Sequence, residues 1–342
     1  MKYIWLHSVR LYINIGMFFY FKKIEIHNIE SIPKSKPILL LSNHQNALLD
    51  ALLIAVKCGR FSYFLTRAAV FKKDFVKKIL MSLQMLPVYR VRDGWSNISN
   101  NNAVFETCSS LLNQNEAIVI FPEGSHNLKR AVRPLSKGFT RIVFDTLTKY
   151  PELDLQLIPV GLNFENAIKC PDRVSVFFGE PIVAKDFVLK NKNESIVNLK
   201  LKIQSEISKL TTHIPDNYDD TIAKLNTLQV DYLNPKAVNN CIANNCENDE
   251  LKQGSKIKGL QFFFKGLLIL NLFLPYLIWK FIAQPKIKEI EFISTFRFAL
   301  AITLVPFYLL TVGILLAVLV SFKMAIIYII SALILTLLAV KL

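Results

Sequence analysis

The C-terminal quarter of this chain limits what the whole can become. Gly266–Ile282, Phe298–Val320 and Ala325–Val340 are almost free of charge. Backbone amides have no water to bond to inside a bilayer, so such runs insert as helices. The second is long enough to span, and the other two stand near the lower limit. Pro275 and Pro306 fall inside runs of this kind and are tolerated where neighbours satisfy the freed carbonyls. If the first run crossed, Lys286, Lys288 and Arg297 would lie outside, against the usual bias of basic residues. A re-entrant first run followed by two spans removes that conflict.

Charge points the same way. The chain carries a formal +15, with 52% hydrophobic residues and a mean hydropathy of +0.34. No zinc finger, aromatic RNA platform or recognition helix accompanies that charge, so nucleic acid is not the expected partner. Anionic lipid headgroups are, at about 1 kcal/mol per basic residue held near the surface. Residues 1–21 are apolar and aromatic, but His7, Arg10 and Asn14 interrupt them. With Tyr3, Trp5, Tyr12 and Tyr20 suited to headgroup depth, they read as an interfacial helix. The five cysteines show no metal spacing, and reduced thiols facing a cytosol are expected.

Between these membrane elements the pattern changes. Ile38–Leu41 is a short unbroken apolar run, typical of a parallel strand buried on both faces. Phe61–Thr66, Ala117–Phe121, Leu155–Val160 and Val174–Gly179 read as further strands, Pro87–Arg90 as a strand end, and residues 22–30 as an edge strand. Helical patterns over Asn46–Lys57, Phe71–Leu86, Ser99–Asn113 and Gly138–Thr148 alternate with them. The expected fold is α/β, a mostly parallel sheet flanked by helices. Residues 22–189 would form this domain and 190–258 a polar helical extension and linker. Within that extension Ile196–Leu210 reads as a helix and Asn239–Ser255 as a loop. Residues 259–342 would hold two to three membrane helices.

Working residues of such sheets gather beyond the carboxyl ends of the strands. His44, Arg90 and Glu123 each follow a strand-like run. A neutral imidazole at His44 can take a proton from a hydroxyl, and Asp50 can orient it. Six residues of regular helix turn about 600°, leaving two side chains about 120° apart. The pair therefore meets only if His44 lies in an irregular turn ahead of the helix. Arg133 and Lys137, beside a helix start at Gly138, are candidates for a phosphate.

Four blocks then appear in order: Asn43-His44…Asp50, Leu86-Pro-Val-Tyr-Arg90, Phe121-Pro-Glu-Gly-Ser125 and Ile158-Pro-Val160. In this the chain resembles the phosphate acyltransferase superfamily, over about residues 20–185. The resemblance implies a glycerolipid acyltransferase fold, with His44 as general base and Asp50 as its orienter. Arg90, Glu123 and Gly124 would bind glycerol phosphate, joined by Arg133 and Lys137. Acyl-CoA or acyl carrier protein would donate the acyl group, with no metal or redox cofactor. Two departures stand out. Five residues separate His44 from Asp50 where most members have four, as in a glycerol-3-phosphate-acylating branch. His126 follows Ser125 where an arginine is usual, so its role passes to Lys129, Arg130, Arg133 or His126 itself.

The expected acceptor is 1-acylglycerol-3-phosphate, because the apolar elements place the site at headgroup depth. The His–Asp spacing favours glycerol-3-phosphate instead. The expected location is the cell membrane, with the catalytic domain on the cytoplasmic face. A non-catalytic lipid-binding protein on the same fold is the rival from another class.

Overall fold

The computed structural model describes residues 2–89, 101–246 and 258–342. Helix α1 (Lys2–Tyr20) leads into an alternation of strands and helices: β1 (Lys23–His27), β2 (Ile38–Ser42), α2 (Ala47–Lys57), β3 (Ser62–Arg67), α3 (Asp74–Ser82), β4 (Met85–Val88), α4 (Asn101–Asn113), β5 (Ala117–Ile120), α5 (Gly138–Lys149), β6 (Gln156–Phe164), β7 (Arg173–Phe178) and β8 (Ile182–Val183). Then come α6 (Lys192–Leu210), α7 (Tyr218–Leu228), α8 (Pro235–Ala243), α9 (Lys258–Asn271), α10 (Phe273–Leu277), α11 (Ile293–Leu319) and α12 (Phe322–Lys341).

The strands form one sheet in the order β1-β7-β6-β2-β5-β3-β4, with β8 pairing β6 off this path. Among the described residues, only β6 with β7 and β6 with β8 run antiparallel. The sheet is thus the mostly parallel, helix-flanked one expected. Every residue of β2 is buried, which explains its unbroken apolar run. Ile38 and Leu40 join the core beneath α1 and α2, whereas Leu39 and Leu41 join the one beneath α4, α5 and α6. Each such side chain contributes about 1.5–3 kcal/mol of burial. Against β6, α6 packs so closely that a side chain at Gly161 would meet the Leu210 carbonyl.

Three local expectations need correction. The helix expected over Phe71–Leu86 is only α3. Gln84 takes a left-handed φ of 62°, which stops the helix and starts β4. The loop expected over Asn239–Ser255 opens inside α8, a helix started by Pro235 and capped by Asn234, whose side chain accepts from Ala237 N. Beyond residue 246 that stretch lies outside the described residues. Cys241 and Cys246 form a disulfide, contrary to the expectation of thiols throughout, because the turn at Asn245 and Cys246 folds back on the end of α8. Cys58, Cys108 and Cys170 are free.

At the C-terminus, α11 and α12 are long and apolar enough to cross a membrane, and α9 with α10 form a pair bent by 96°. Contacts trace the path of that pair. Lys265 Nζ donates to the Cys170 carbonyl of the α/β domain. Farther on, the Asn271 carbonyl accepts from Tyr308 Oη, and the chain then climbs back to Trp279 beneath the Arg297 guanidinium. Tyr308 lies eleven residues beyond Arg297, about 16 Å along α11. The segment dips and returns. The far end of α12 also comes back to the sheet, where Lys341 Nζ donates to the Phe21 carbonyl at 2.7 Å and the Lys22 carbonyl at 3.4 Å. Helix α1 lies against α2 and α11, with Met17, Tyr20 and Phe21 buried while Tyr3, Ile4, Leu11 and Phe18 stay exposed.

Candidate active site

Strands β2 and β5 are neighbours and run parallel, so the segments leaving them meet at one rim. Asn43 closes β2. Its amide donates to the Leu162 carbonyl at 2.9 Å, and its carbonyl oxygen accepts from Leu162 N at 2.8 Å. The side chain thus continues the ladder while the backbone turns away, and His44 leaves the sheet. Asn127 N pins the His44 carbonyl at 2.9 Å.

The extra residue between His44 and Asp50 is absorbed ahead of α2. Ala47 adopts φ 44°, in the left-handed region. That bend lets His44 Nδ1 reach Asp50 Oδ2 at 2.8 Å. The same oxygen accepts from Gln45 N at 2.8 Å and Asn46 N at 2.7 Å. Asp50 is fully buried and the His44 side chain is 12% exposed. A carboxylate oxygen accepting from Nδ1 assigns the proton there, which leaves the Nε2 lone pair for a substrate proton. Phe121 stacks on the imidazole, ring centroids 4.1 Å apart and planes 18° apart.

The second corner is the turn after β5. Gly124 takes φ 76°, a left-handed position that glycine occupies at no steric cost, and its N–H bonds the Phe121 carbonyl. Glu123, its side chain 3% exposed, accepts from Arg133 Nε at 2.6 Å. The remaining guanidinium nitrogens of Arg133 bond the Ser125 hydroxyl and carbonyl. Three of its five N–H groups are thus used, leaving two to receive an oxyanion. Burial pushes the Glu123 carboxyl up to about 7, while Arg133 and the His44 backbone pull it the other way.

Of the residues proposed to replace the usual arginine, Arg133 is the one that grips this turn. Lys129 lies over Tyr218, and Arg130 is stacked on Tyr232. His126 instead meets His44 edge-on at 5.6 Å. Lys137 precedes α5 at the surface, with no side-chain partner among the described residues. Arg90 lies outside the described residues; β4, which leads to it, runs parallel to β3 and ends on the same side of the sheet.

Sequence reasoning missed what the C-terminal region adds. The short turn Ile290–Phe292 before α11 brings Phe292 against His126 at 4.8 Å, and Glu289 bonds His126 Nε2 at 2.9 Å. With Glu291, these groups place one nitrogen and two carboxylate oxygens within 4.8 Å of one another, a set able to hold a cation. The Ala167 carbonyl accepts from both Asn46 Nδ2 and Ser294 Oγ, tying the helix-start turn beside His44 to α11. Asn43 and Asn46, on either side of His44, are the available hint, since buried side-chain amides need partners.

Part of the chain is similar to known proteins. Residues 23–163 match the acyltransferase family model. Glycerol-3-phosphate O-acyltransferase 1 of Saccharomyces cerevisiae is 30% identical over 95 residues, covering 28% of this chain and 12% of that protein. An uncharacterised acyltransferase of Schizosaccharomyces pombe is 28% identical over 104 residues, covering 29% of this chain and 15% of that protein. Glycerol-3-phosphate O-acyltransferase 2 of Saccharomyces cerevisiae is 24% identical over 124 residues, or 35% of this chain and 17% of that protein. The matches therefore span less than a fifth of each relative. The crystal structure of the 1-acyl-sn-glycerophosphate (LPA) acyltransferase PlsC from Thermotoga maritima superposes with a TM-score of 0.46 at 17% identity, covering 61% of this chain and 80% of that one. Residues 23–163, which carry both corners of the site, are the part of this chain that is similar to the acyltransferase family.

Proposed function

We propose that this protein transfers a fatty acyl group from a thioester, acyl-CoA or acyl carrier protein, to the hydroxyl of 1-acylglycerol-3-phosphate, giving phosphatidic acid. The observation that carries the reading is the His44–Asp50 pair, with Nε2 left open at a rim shared with Glu123 and Arg133. In the proposed step Nε2 takes the acceptor hydroxyl proton as its oxygen attacks the thioester carbonyl. The tetrahedral intermediate then expels the thiolate, and the imidazolium returns the proton to sulfur. Asp50 holds the tautomer throughout. No enzyme nucleophile, metal or redox cofactor is needed for this sequence.

The acceptor phosphate would lie against the two unused N–H groups of Arg133, with Glu123 and Gly124 shaping the turn and Arg90 and Lys137 adding positive charge. The start of α11 beside His126 supports a lipid acceptor, because the apolar span begins where the catalytic imidazole lies. With α11 and α12 spanning and α1 at the interface, the site would face the cytoplasm from the cell membrane.

A second reading, glycerol-3-phosphate as acceptor, is favoured by the names of the two Saccharomyces cerevisiae relatives and by the five-residue His–Asp spacing. The test is thiol release from acyl-CoA by purified full-length protein, with the two acceptors competing in one detergent–lipid system. A kcat/KM more than about tenfold higher for glycerol-3-phosphate, or about 1.4 kcal/mol in transition-state binding, would select the second reading. No thiol release with either acceptor or with acyl carrier protein donors would favour the lipid-binding rival.

A further inference from the structure

A cavity of about 770 Å³ lies between the bent pair α9–α10, the first turns of α11 and residues 168–171 of the α/β domain. Its lining includes none of His44, Asp50 or Glu123. Three cations line its domain-facing end: Lys169, Lys265 and Arg297. Lys265 Nζ donates to the Cys170 carbonyl and an Arg297 terminal nitrogen to the Ile168 carbonyl, each at 3.1 Å. The Arg297 guanidinium also lies 5.1 Å from the Trp279 ring centroid. Among the described residues none of the three is in an ion pair.

Apart from Cys170, Gln261, Tyr276 and Trp279, the rest of the wall is hydrocarbon. Leu268 and Leu272 continue along α9 from Lys265, and Leu300 and Val305 continue along α11 from Arg297. The eight residues from Arg297 to Val305 extend about 12 Å. Cations without carboxylate partners at one end, and an apolar wall running away from them, match the shape and charge of an amphiphilic anion. Volumes of this order hold drug-sized ligands or lipid segments. A zwitterionic phospholipid would set an ammonium of its own against these three cations. An anionic one gives the guanidinium and ammonium a phosphate to share.

We infer that this cavity binds one anionic glycerophospholipid of the surrounding bilayer, its phosphate between Lys265 and Arg297 and an acyl chain along α11. The site is separate from the catalytic rim and does not rest on which acceptor is acylated. It rests on α11 and α12 lying in a membrane.

Trp279 provides the probe. The chain has three tryptophans, and Trp5→Phe with Trp95→Phe leaves Trp279 alone. The full chain is placed in phosphatidylcholine nanodiscs in which the fraction of chain-brominated phosphatidylglycerol or of chain-brominated phosphatidylcholine is raised in matched steps. The anionic lipid is expected to quench Trp279 at concentrations at least about fivefold lower, as charge pairing near a membrane surface implies. Lys265→Gln with Arg297→Gln should erase that preference, and Lys265→Arg with Arg297→Lys should keep it. Lys265→Gln alone, at an exposed position, should lose part of it and covers the case in which the double variant misfolds. Equal quenching by both headgroups overturns the inference. So does a preference that survives the glutamine substitutions, which would reflect only general attraction between a basic protein and an acidic bilayer.

Discussion

The two corners of the site both pair a carboxyl with a nitrogen base, yet they are built differently. Asp50 accepts from two backbone N–H groups as well as from His44, so its position is written into the main chain at the head of α2. Glu123 is also buried, but it pairs with the side chain of Arg133, and burial raises its carboxyl to about 7. One corner is fixed by the fold. The other is a charge pair that pH can open. In the proposed reaction that contrast would suit a base kept in one orientation and a binding residue that admits and releases a phosphate.

The strongest challenge to this contrast is His44→Ala. Turnover is expected to fall by roughly 10² or more, the usual order for a positioned general base, with circular dichroism unchanged. Near-normal kcat in folded protein would remove the first corner from the mechanism. Next in size is Arg133→Ala. It should raise the acceptor KM by about tenfold to a hundredfold, the range of a charge-assisted hydrogen bond, while the donor KM moves less. A shift confined to the donor would reverse the assignment.

Glu123→Gln sharpens the comparison through pH. A carboxyl raised from 4.5 to about 7 on folding stabilises the native state in its protonated form. That contribution is whole below about 4.5 and is lost as pH climbs through 7. Thermal midpoints in detergent should therefore decline across this interval in the parent and decline less in Glu123→Gln. Identical slopes would place the ionisation elsewhere. The smallest effect is expected from Lys137→Ala. Its exposed ammonium should change the acceptor KM by less than about fivefold, and less still at high salt.

Much of the fold could be read from pattern because β2, β5 and the middle of β6 are buried on both faces and so are apolar without alternation. The convergence of His44 and Glu123 followed from strands that end in polar residues. The means by which His44 meets Asp50 did not, since an alanine gives no sign of a left-handed φ. The helix end at Ser82 is not legible in the sequence because Gln84, like Ala47, is not a residue that announces a break. The Glu289–His126 contact joins residues 163 apart, and no local periodicity encodes such a meeting. The path of α9 and α10 was legible only as an alternative, through the charges that a full crossing would misplace.

The clasp at Lys341 has a consequence for biosynthesis. The carbonyl it bonds, at Phe21, precedes it by 320 residues. At 5–20 residues per second, roughly 16–64 s pass between the synthesis of the two. Through that interval the end of the first helix must wait without this partner, so its final seating follows the synthesis of α12. Nascent chains arrested before α12 are expected to be cut by protease near Lys22, where chains that include α12 resist; equal resistance in both would show that the first helix seats without α12.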